Sequence, residues 1–237
     1  MRVCAAPPFA VANESALSSD PRWRPHDLLR LRRLQAFDDE PAWVRDAFGR
    51  APYAVVRRAL AADGVVAIGV RGAERAQRYG AWAQAADIVQ VVRPETLVHA
   101  RPLAGRDALA PFVALASLAA SHSDDGAAPL STFVWGPTGS TGFELATQVP
   151  AVSESSDLDL LIRTPEPLAR DIASDLLDQL QTLGKRVGIR VDAQLETPAG
   201  GVALAEWAAR KPRVLARHAC GPQLLADPWS IAEGTAI

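Results

Sequence analysis

Cysteine is scarce in this sequence, with only Cys4 and Cys220 among 237 residues. Two cysteines cannot form a disulfide framework, and no metal-ligand set surrounds either of them. Long hydrophobic runs are also missing. The longest near-apolar run, 108–120, has 13 residues and contains Pro111, whereas a membrane helix needs about 20 residues. These absences exclude a disulfide-rich secreted domain and an integral membrane protein, and they favour a cytoplasmic location.

A large excess of charge of one sign is absent as well. The formal net charge is −2, whereas a duplex-DNA binder needs many positive charges to displace counterions. Lysine is nearly absent, and we attribute the preference for arginine to a GC-rich genome. Hydrophobic residues make up 49% and charged residues 22% of the chain, which is enough apolar material for a core. We therefore expect a globular protein that does not bind nucleic acid.

Charge divides the chain into two parts. Residues 21–110 contain 15 arginines and 10 acidic residues, whereas residues 131–237 contain 9 basic and 13 acidic residues. The segment 121–129 between them is rich in serine, aspartate, glycine and proline, which is typical of a linker. The expected segments are a flexible tail over 1–20, a smaller basic domain of mixed α and β structure over 21–125, and a catalytic domain over 126–237.

The second part alternates β-rich runs with helical ones. In its longest predicted helix, Pro167 is placed to begin the helix and Gly184 to end it. We therefore expect an α+β (or α/β) fold with a mixed sheet in the second part. The predicted strands are 53–58, 65–70, 132–135, 157–162 and 187–195, and the predicted helices are 106–120, 143–148, 167–183 and 203–209.

Gly139 and Ser140 follow a predicted strand and open a predicted helix. Glycine lets the backbone come close to a phosphate, and the first N–H groups of a helix can bind an anion. Such a turn is, on its own, more often a simple helix cap. It becomes a candidate phosphate site only in combination with other residues.

Three aspartates supply that combination. Asp157 and Asp159 lie at i and i+2 of an apolar strand, so their side chains share one face. Two such carboxylates repel each other unless a cation compensates them, and Mg²⁺ prefers hard oxygen ligands. Asp192, on a later predicted strand, is the third candidate ligand. A Gly-Ser turn, an Asp-x-Asp strand and a third aspartate together predict a nucleotidyltransferase-like site, and the alternative is a set of solvated acids.

Two motifs resemble a known family. The segments Trp135-Gly-Pro-Thr-Gly-Ser-Thr-Gly-Phe-Glu-Leu-Ala-Thr147 and Ser156-Asp-Leu-Asp-Leu-Leu-Ile-Arg163 resemble the phosphoribosyl-dephospho-CoA transferases of malonate decarboxylase, also called holo-acyl-carrier-protein synthases. Weaker resemblances to the same family are found at residues 24–29, 198–207 and 221–229. The sequence departs from the family pattern at Gln148 and at 154–156, neither of which includes the three aspartates.

The resemblance implies a transfer reaction. The prosthetic-group precursor 2′-(5″-triphosphoribosyl)-3′-dephospho-CoA moves onto a serine of the apo acyl-carrier subunit, and pyrophosphate leaves. By the same resemblance, Gly139 and Ser140 bind the triphosphate, and Asp157 and Asp159 hold Mg²⁺. Asp192 completes the metal site and helps to deprotonate the serine hydroxyl.

Several basic residues are further candidates. Arg163, directly after the Asp-x-Asp strand, is interpreted either as a phosphate ligand or as the partner of a nearby acid. Arg24 and His26 are possible contacts for the substrate or the carrier, although a His-Asp pair is more often a local structural hydrogen bond. Arg71 and Arg75 would share one face if their segment is helical and could then contact the triphosphate or an acidic partner. The alternative is a solvated face.

The basic first part also suggests a docking surface. Acyl-carrier proteins are generally acidic, so Arg30, Arg32 and Arg33 are expected to steer the carrier towards the enzyme. The alternative is a solvated face that serves solubility only.

Two other functions remain open from the residues alone. One is a nucleotidyltransferase with a different acceptor, such as another protein, a tRNA end or a small molecule. The other is a degenerate nucleotidyltransferase that only binds a partner. The presence of all three aspartates and the Gly-Ser turn argues against the second.

Overall fold

The computed structural model describes residues 2–4, 17–18, 21–38, 40–124 and 130–230. Contacts divide the chain between Arg93 and Pro94 into a first unit and a second unit. The tail expected over 1–20 lies outside the described residues except for two short strands. No helix of the described segments is long and apolar enough to span a membrane.

The boundary expected within 121–130 therefore differs from the one in the structure. The linker-like composition of that segment marks the end of a helix, Ala110–Asp124, and not the end of a domain. This helix packs against a helix and a strand that follow it in the chain, so it belongs to the second unit. Residues 125–129 lie outside the described part of the chain.

The first unit is built on a mixed six-stranded sheet. The strand order is β1-β7-β6-β4-β3-β8, and among these pairs only β1 and β7 run parallel. The elements are β1 (Arg2–Cys4), β2 (Leu17–Ser18), β3 (Leu28–Leu31), α1 (Trp43–Arg50), β4 (Tyr53–Val56), β5 (Ala61–Ala62), β6 (Val65–Arg71), β7 (Arg78–Gln84) and β8 (Ile88–Val92), and β2 and β5 form a separate antiparallel pair.

The core of the first unit lies between helix α1 and this sheet. Val44 and Ala47, three residues apart on α1, are its buried residues and pack with the buried Leu29, Ile68 and Tyr79 of the strands. The β-rich runs at 53–58 and 65–70 are confirmed as β4 and β6.

The second unit contains another mixed six-stranded sheet. Its strand order is β14-β13-β12-β11-β10-β9, and only β10 and β11 run parallel. The two mixed sheets confirm the α+β class. The elements are α2 (Ala110–Asp124), β9 (Val134–Pro137), α3 (Gly139–Thr147), β10 (Leu158–Arg163), α4 (Arg170–Val187), β11 (Val191–Thr197), β12 (Gly200–Ala203), α5 (Leu204–Ala208), β13 (Val214–His218) and β14 (Gly221–Leu225).

The second sheet has one covered face and one partly open face. In β11, Val191 and Leu195 are buried, while Asp192 and Gln194 between them are not. Helices α4 and α5 pack against this sheet, and the buried residues of β11 and β13 point towards them because side chains alternate along a strand. On the other face, the 3₁₀ turn Pro94–Leu97 packs against β9. The face that carries Asp192 therefore stays accessible over β11 to β14.

The end of α4 differs from the prediction. The helix passes Gly184 and ends at Gly188, whose φ of 78° is the left-handed conformation that glycine adopts without strain. Gly184 is needed inside the helix because a Cβ there would lie 2.7 Å from the carbonyl oxygen of Ile189. A glycine required by packing was thus interpreted as a helix stop.

Candidate functional site

The three predicted carboxylates lie together at one end of the parallel strand pair. Asp159 of β10 and Asp192 of β11 are register partners, and Asp157 lies two residues before Asp159 on the same face. The side chain of Asp157 is 24% exposed and that of Asp192 is 48% exposed. The predicted i, i+2 pair and the third aspartate are therefore brought to one face of the sheet, where a solvent-borne ligand can reach them.

The first turn of α3 lies directly against Asp159. The backbone N–H of Thr138 donates to the carbonyl oxygen of Asp159 at 2.8 Å, and Gly139 has a φ of +59°. A Cβ on Gly139 would lie only 2.0 Å from Oδ2 of Asp159. Only glycine allows this close approach, so Gly139 lets the positive end of the α3 dipole lie next to the carboxylate of Asp159.

Ser140 is placed differently from a side-chain phosphate ligand. Its side chain is buried, with 8% of the residue exposed, whereas Gly139 is exposed. An anion at this turn would therefore be bound by backbone N–H groups at the start of α3 and not by the side chain of Ser140.

An arginine that the sequence interpretation missed links two of the aspartates. Nη2 of Arg190 lies 3.1 Å from Oδ2 of Asp157, and Nε of the same side chain lies 2.7 Å from Oδ2 of Asp192. A single guanidinium thus stands between two carboxylates and offsets their mutual repulsion. The available signal was its position, two residues before Asp192, which puts both side chains on one face.

The donor set of this site fits a hard divalent cation. All three candidates offer carboxylate oxygens, which Mg²⁺ prefers, and Mg²⁺ commonly binds through one or two carboxylates plus water and phosphate oxygens. Within the described residues, no group of three or more His, Cys, Asp or Glu side chains is arranged so that it could hold a metal ion. The three carboxylates therefore suit Mg²⁺ in donor type but do not by themselves form a metal site in this structure.

A buried ion pair fixes the segment that leads to the Asp-x-Asp strand. Glu144 of α3 is fully buried, and its two oxygens accept hydrogen bonds from Nε and Nη2 of Arg106 at 2.6 and 3.0 Å. Oε2 also accepts the backbone N–H groups of Ala151 and Val152 at 2.7 and 2.8 Å. Nη2 of Arg106 donates in addition to the carbonyl oxygen of Val152 at 2.6 Å. One carboxylate thereby fastens the chain before Asp157 to the helix that begins at Gly139.

This network also changes the acidity of Glu144. Burial raises the pKa of its carboxyl group, but the hydrogen bonds from Arg106 and from the backbone N–H groups of Ala151 and Val152 outweigh that effect, so the pKa lies below its ordinary value. The hydrogen bond to Glu144 raises the pKa of Arg106 above its ordinary value. Both side chains are therefore charged at neutral pH.

Arg163 pairs with a nearby acid, which is one of the two roles expected for it. Its side chain is 10% exposed, and Nη2 lies 3.2 Å from Oε2 of Glu95 in the 3₁₀ turn. Gly136, on the neighbouring strand β9, carries no side chain where the backbone of Pro94 packs against it. This pair therefore helps to hold the 3₁₀ turn against the strands that carry the site.

Arg24 and His26 form part of a turn in the first unit. The backbone N–H of Arg24 donates to Oδ2 of Asp27 at 3.1 Å, and Asp27 is fully buried. His26 has a φ of 72° and donates its backbone N–H to the carbonyl oxygen of Val56 at 3.1 Å. These contacts give the motif a structural role, because they fix the turn that leads into β3.

Arg71 and Arg75 do not lie on a helix, so the condition under which they would share a helix face is not met. Arg71 ends β6 and is the register partner of Arg78 at the start of β7, and Arg75 lies in the connection between the two strands. The β-branched residues of Val65–Arg71 favour a strand. Both arginines belong to the first unit, whereas the carboxylates belong to the second.

Two family models match the chain. The model described as "Phosphoribosyl-dephospho-CoA transferase MdcG C-terminal domain" matches residues 102–228. The model described as the N-terminal domain of the same transferase matches residues 24–94. These matches cover most of the chain, and the gap between them lies close to the division between the two units.

Curated relatives give the same result. A phosphoribosyl-dephospho-CoA transferase of Pseudomonas aeruginosa is 46% identical over 210 residues, covering 88% of this chain and 95% of the relative. One of Pseudomonas putida is 44% identical, covering 89% of this chain and 97% of the relative. One of Klebsiella pneumoniae is 41% identical, covering 87% of this chain and 96% of the relative. No solved structure gives a significant match.

Proposed function

The chain belongs to the phosphoribosyl-dephospho-CoA transferase family, and from this premise we propose that it loads an acyl-carrier protein. The proposed donor is 2′-(5″-triphosphoribosyl)-3′-dephospho-CoA, and the proposed acceptor is a serine of the apo acyl-carrier subunit of malonate decarboxylase. The observation that carries the proposal is the register pairing of Asp159 with Asp192 beside the first turn of α3. We place the reaction in the cytoplasm, where the carrier is expected.

The proposed reaction is a displacement at the α-phosphorus of the donor. The serine oxygen of the carrier forms a bond to that phosphorus, and the bond between this phosphorus and the oxygen that bridges to the β-phosphate breaks. Pyrophosphate leaves with the electron pair, and a phosphodiester joins the carrier to the phosphoribosyl group. The serine proton passes to a base. Asp192 is the candidate because it is exposed, whereas Asp157 and Asp159 are half-buried.

The carboxylates would hold the cation that this chemistry needs. Asp157, Asp159 and Asp192 offer its oxygen ligands, and bound Mg²⁺ would supply positive charge to the triphosphate. The backbone N–H groups of Gly139 and Ser140 would bind phosphate oxygens at the helix N-terminus. Arg190 is a candidate for neutralising the leaving pyrophosphate, since its guanidinium already lies among the carboxylates.

Replacing Asp159 tests this assignment. The variant Asp159→Asn removes one negative charge from the register pair and should lower carrier loading by more than about 100-fold, because even residues that only orient metal ligands commonly contribute 10–100-fold. Its thermal stability without metal should stay equal to that of the wild type or rise slightly, since like-charge repulsion is relieved. Loading is measured at several Mg²⁺ concentrations, and folding is followed by circular dichroism.

Asp175→Asn is the matched control, because Asp175 is an exposed aspartate on α4. It removes the same charge away from the carboxylates and should load the carrier at the wild-type rate. Near-wild-type loading by a folded Asp159→Asn variant would contradict the metal-site assignment.

A further inference from the structure

Two leucines lie side by side on the accessible part of the second sheet. Leu215 of β13 and Leu224 of β14 are register partners, and they are 39% and 61% exposed. β14 is the edge strand of this sheet. A single exposed leucine needs no explanation, whereas a cross-strand pair at a sheet edge is an apolar contact surface.

Two arginines flank this pair. Arg213 and Arg217 are both exposed. Arg217 points to the same face as Leu215 because it lies two residues after it in β13, and Arg213 lies in the bend directly before that strand. Nη1 of Arg217 donates to Oε1 of Gln194 on β11. Its side chain reaches that strand across Gly201 of β12, the register partner of Arg217. The result is an apolar centre between cations, which we call the β13–β14 patch and define as Arg213, Leu215, Arg217 and Leu224.

The β13–β14 patch shares a face with the catalytic carboxylates. Gln194 lies two residues after Asp192 on β11, so the contact with Arg217 places both on one side of the sheet. β13 is three strands from β10 in the sheet order, which is about 14 Å at the usual spacing between strands. A folded protein of about 100 residues has a radius of gyration of about 13 Å. A protein of that size can therefore contact the patch while it presents a residue to Asp159.

We propose that the β13–β14 patch is the docking surface for the acceptor, a small acidic carrier protein that presents an apolar contact beside its carboxylates. The proposal rests on the proposed function, since it assumes that the acceptor is a protein. Arg213 and Arg217 complement the acidic partner, and the two leucines exclude water from the centre of the contact. The shared face then directs the acceptor serine towards the carboxylates.

The test uses the full-length enzyme and the purified apo acyl-carrier subunit of malonate decarboxylase. Two variants, Leu224→Asp and Arg213→Glu, change exposed residues and place negative charge where the acidic carrier would dock. Each should raise the KM for the carrier by about tenfold or more, the size expected for a residue at the centre of an interface. The KM for the donor and the kcat at saturating carrier should remain close to the wild-type values. Calorimetric titration of the enzyme with carrier, without donor, gives the dissociation constant separately from turnover.

Ile172→Asp is the matched control. Ile172 is a large apolar residue that is 51% exposed, and it lies on α4, the helix that packs on the covered face of the sheet. This variant should leave the KM for the carrier unchanged. A second comparison reverses the charges of Arg30, Arg32 and Arg33, the first-unit arginines that the sequence favoured as a dock.

The outcomes separate the docking proposal from the proposed function. If the wild type loads the carrier and both patch variants keep its KM and dissociation constant, the patch is not the dock although the function stands. A rise in the donor KM, or a rise in the carrier KM only in the first-unit variant, overturns the docking proposal in the same way. If the wild type neither binds nor loads the carrier, the proposed function fails and the docking proposal fails with it.

Discussion

Replacing Glu144 with glutamine should destabilise the second unit strongly, although the two side chains have the same shape. The amide oxygen of glutamine can still accept the N–H groups of Ala151 and Val152, but its NH₂ group would face the guanidinium of Arg106, donor against donor. Removing one partner of a buried ion pair costs about 3–5 kcal/mol. The side chain of Arg106 is 27% exposed, so water compensates part of its charge. We therefore expect a loss of about 3 kcal/mol in the free energy of unfolding.

Unfolding in urea at several pH values measures this loss. Because the folded pKa of Glu144 lies below the ordinary glutamate value of 4.5, its ionised form stabilises the wild type fully above that value, and this stabilisation disappears as the pH falls through the folded pKa. The difference between wild type and Glu144→Gln should therefore be largest near pH 7 and shrink in acid. Glu154→Gln, which changes an exposed residue of the same connection, should leave the free energy of unfolding unchanged. A loss below about 1 kcal/mol at pH 7, or one that does not depend on pH, would refute the reasoning.

Two further substitutions test the surroundings of the carboxylates. Gly139→Ala should lose both stability and transfer, because a Cβ collides with Asp159 and a φ of +59° costs a non-glycine residue about 1–2 kcal/mol. Gly188 has a φ of +78° but open space around it, so Gly188→Ala should lose only the stability that the unfavourable φ costs. Equal melting temperatures for the two variants would contradict a collision at position 139. Arg190→Gln should cost about 0.5–1 kcal/mol, as exposed ion pairs do. It should also tighten Mn²⁺ binding measured by electron paramagnetic resonance, since a competing cation is removed, and weaker Mn²⁺ binding would count against that role.

The carboxylates could be placed from the sequence because their arrangement is local. Asp157 and Asp159 share a face through strand alternation alone, and a short strand fixes it without knowledge of the rest of the fold. The pairing of Asp192 with Asp159 needed one more step, the parallel alignment of two strands joined by α4. A helix between two strands commonly produces that alignment, so an expectation of proximity was justified.

Long-range features could not be inferred in this way. Arg106 and Glu144 are 38 residues apart, and the only local signal was one acid within an apolar helix. The domain boundary was misplaced because turn-forming residues at the end of a helix resemble a linker, while the packing of α2 in the second unit is decided by distant residues. The spacing of Arg71 and Arg75 would matter only in a helix, and the strand signal directly before them was the stronger one.

Intact-mass spectrometry of the carrier tests the central claim most directly. The pure enzyme is incubated with Mg²⁺, the apo acyl-carrier subunit of malonate decarboxylase and 2′-(5″-triphosphoribosyl)-3′-dephospho-CoA. The account predicts that the carrier gains the mass of the donor less pyrophosphate, on a single serine, and that ATP does not replace the donor. A carrier of unchanged mass, or one that gains a nucleotide from ATP instead, would contradict the account.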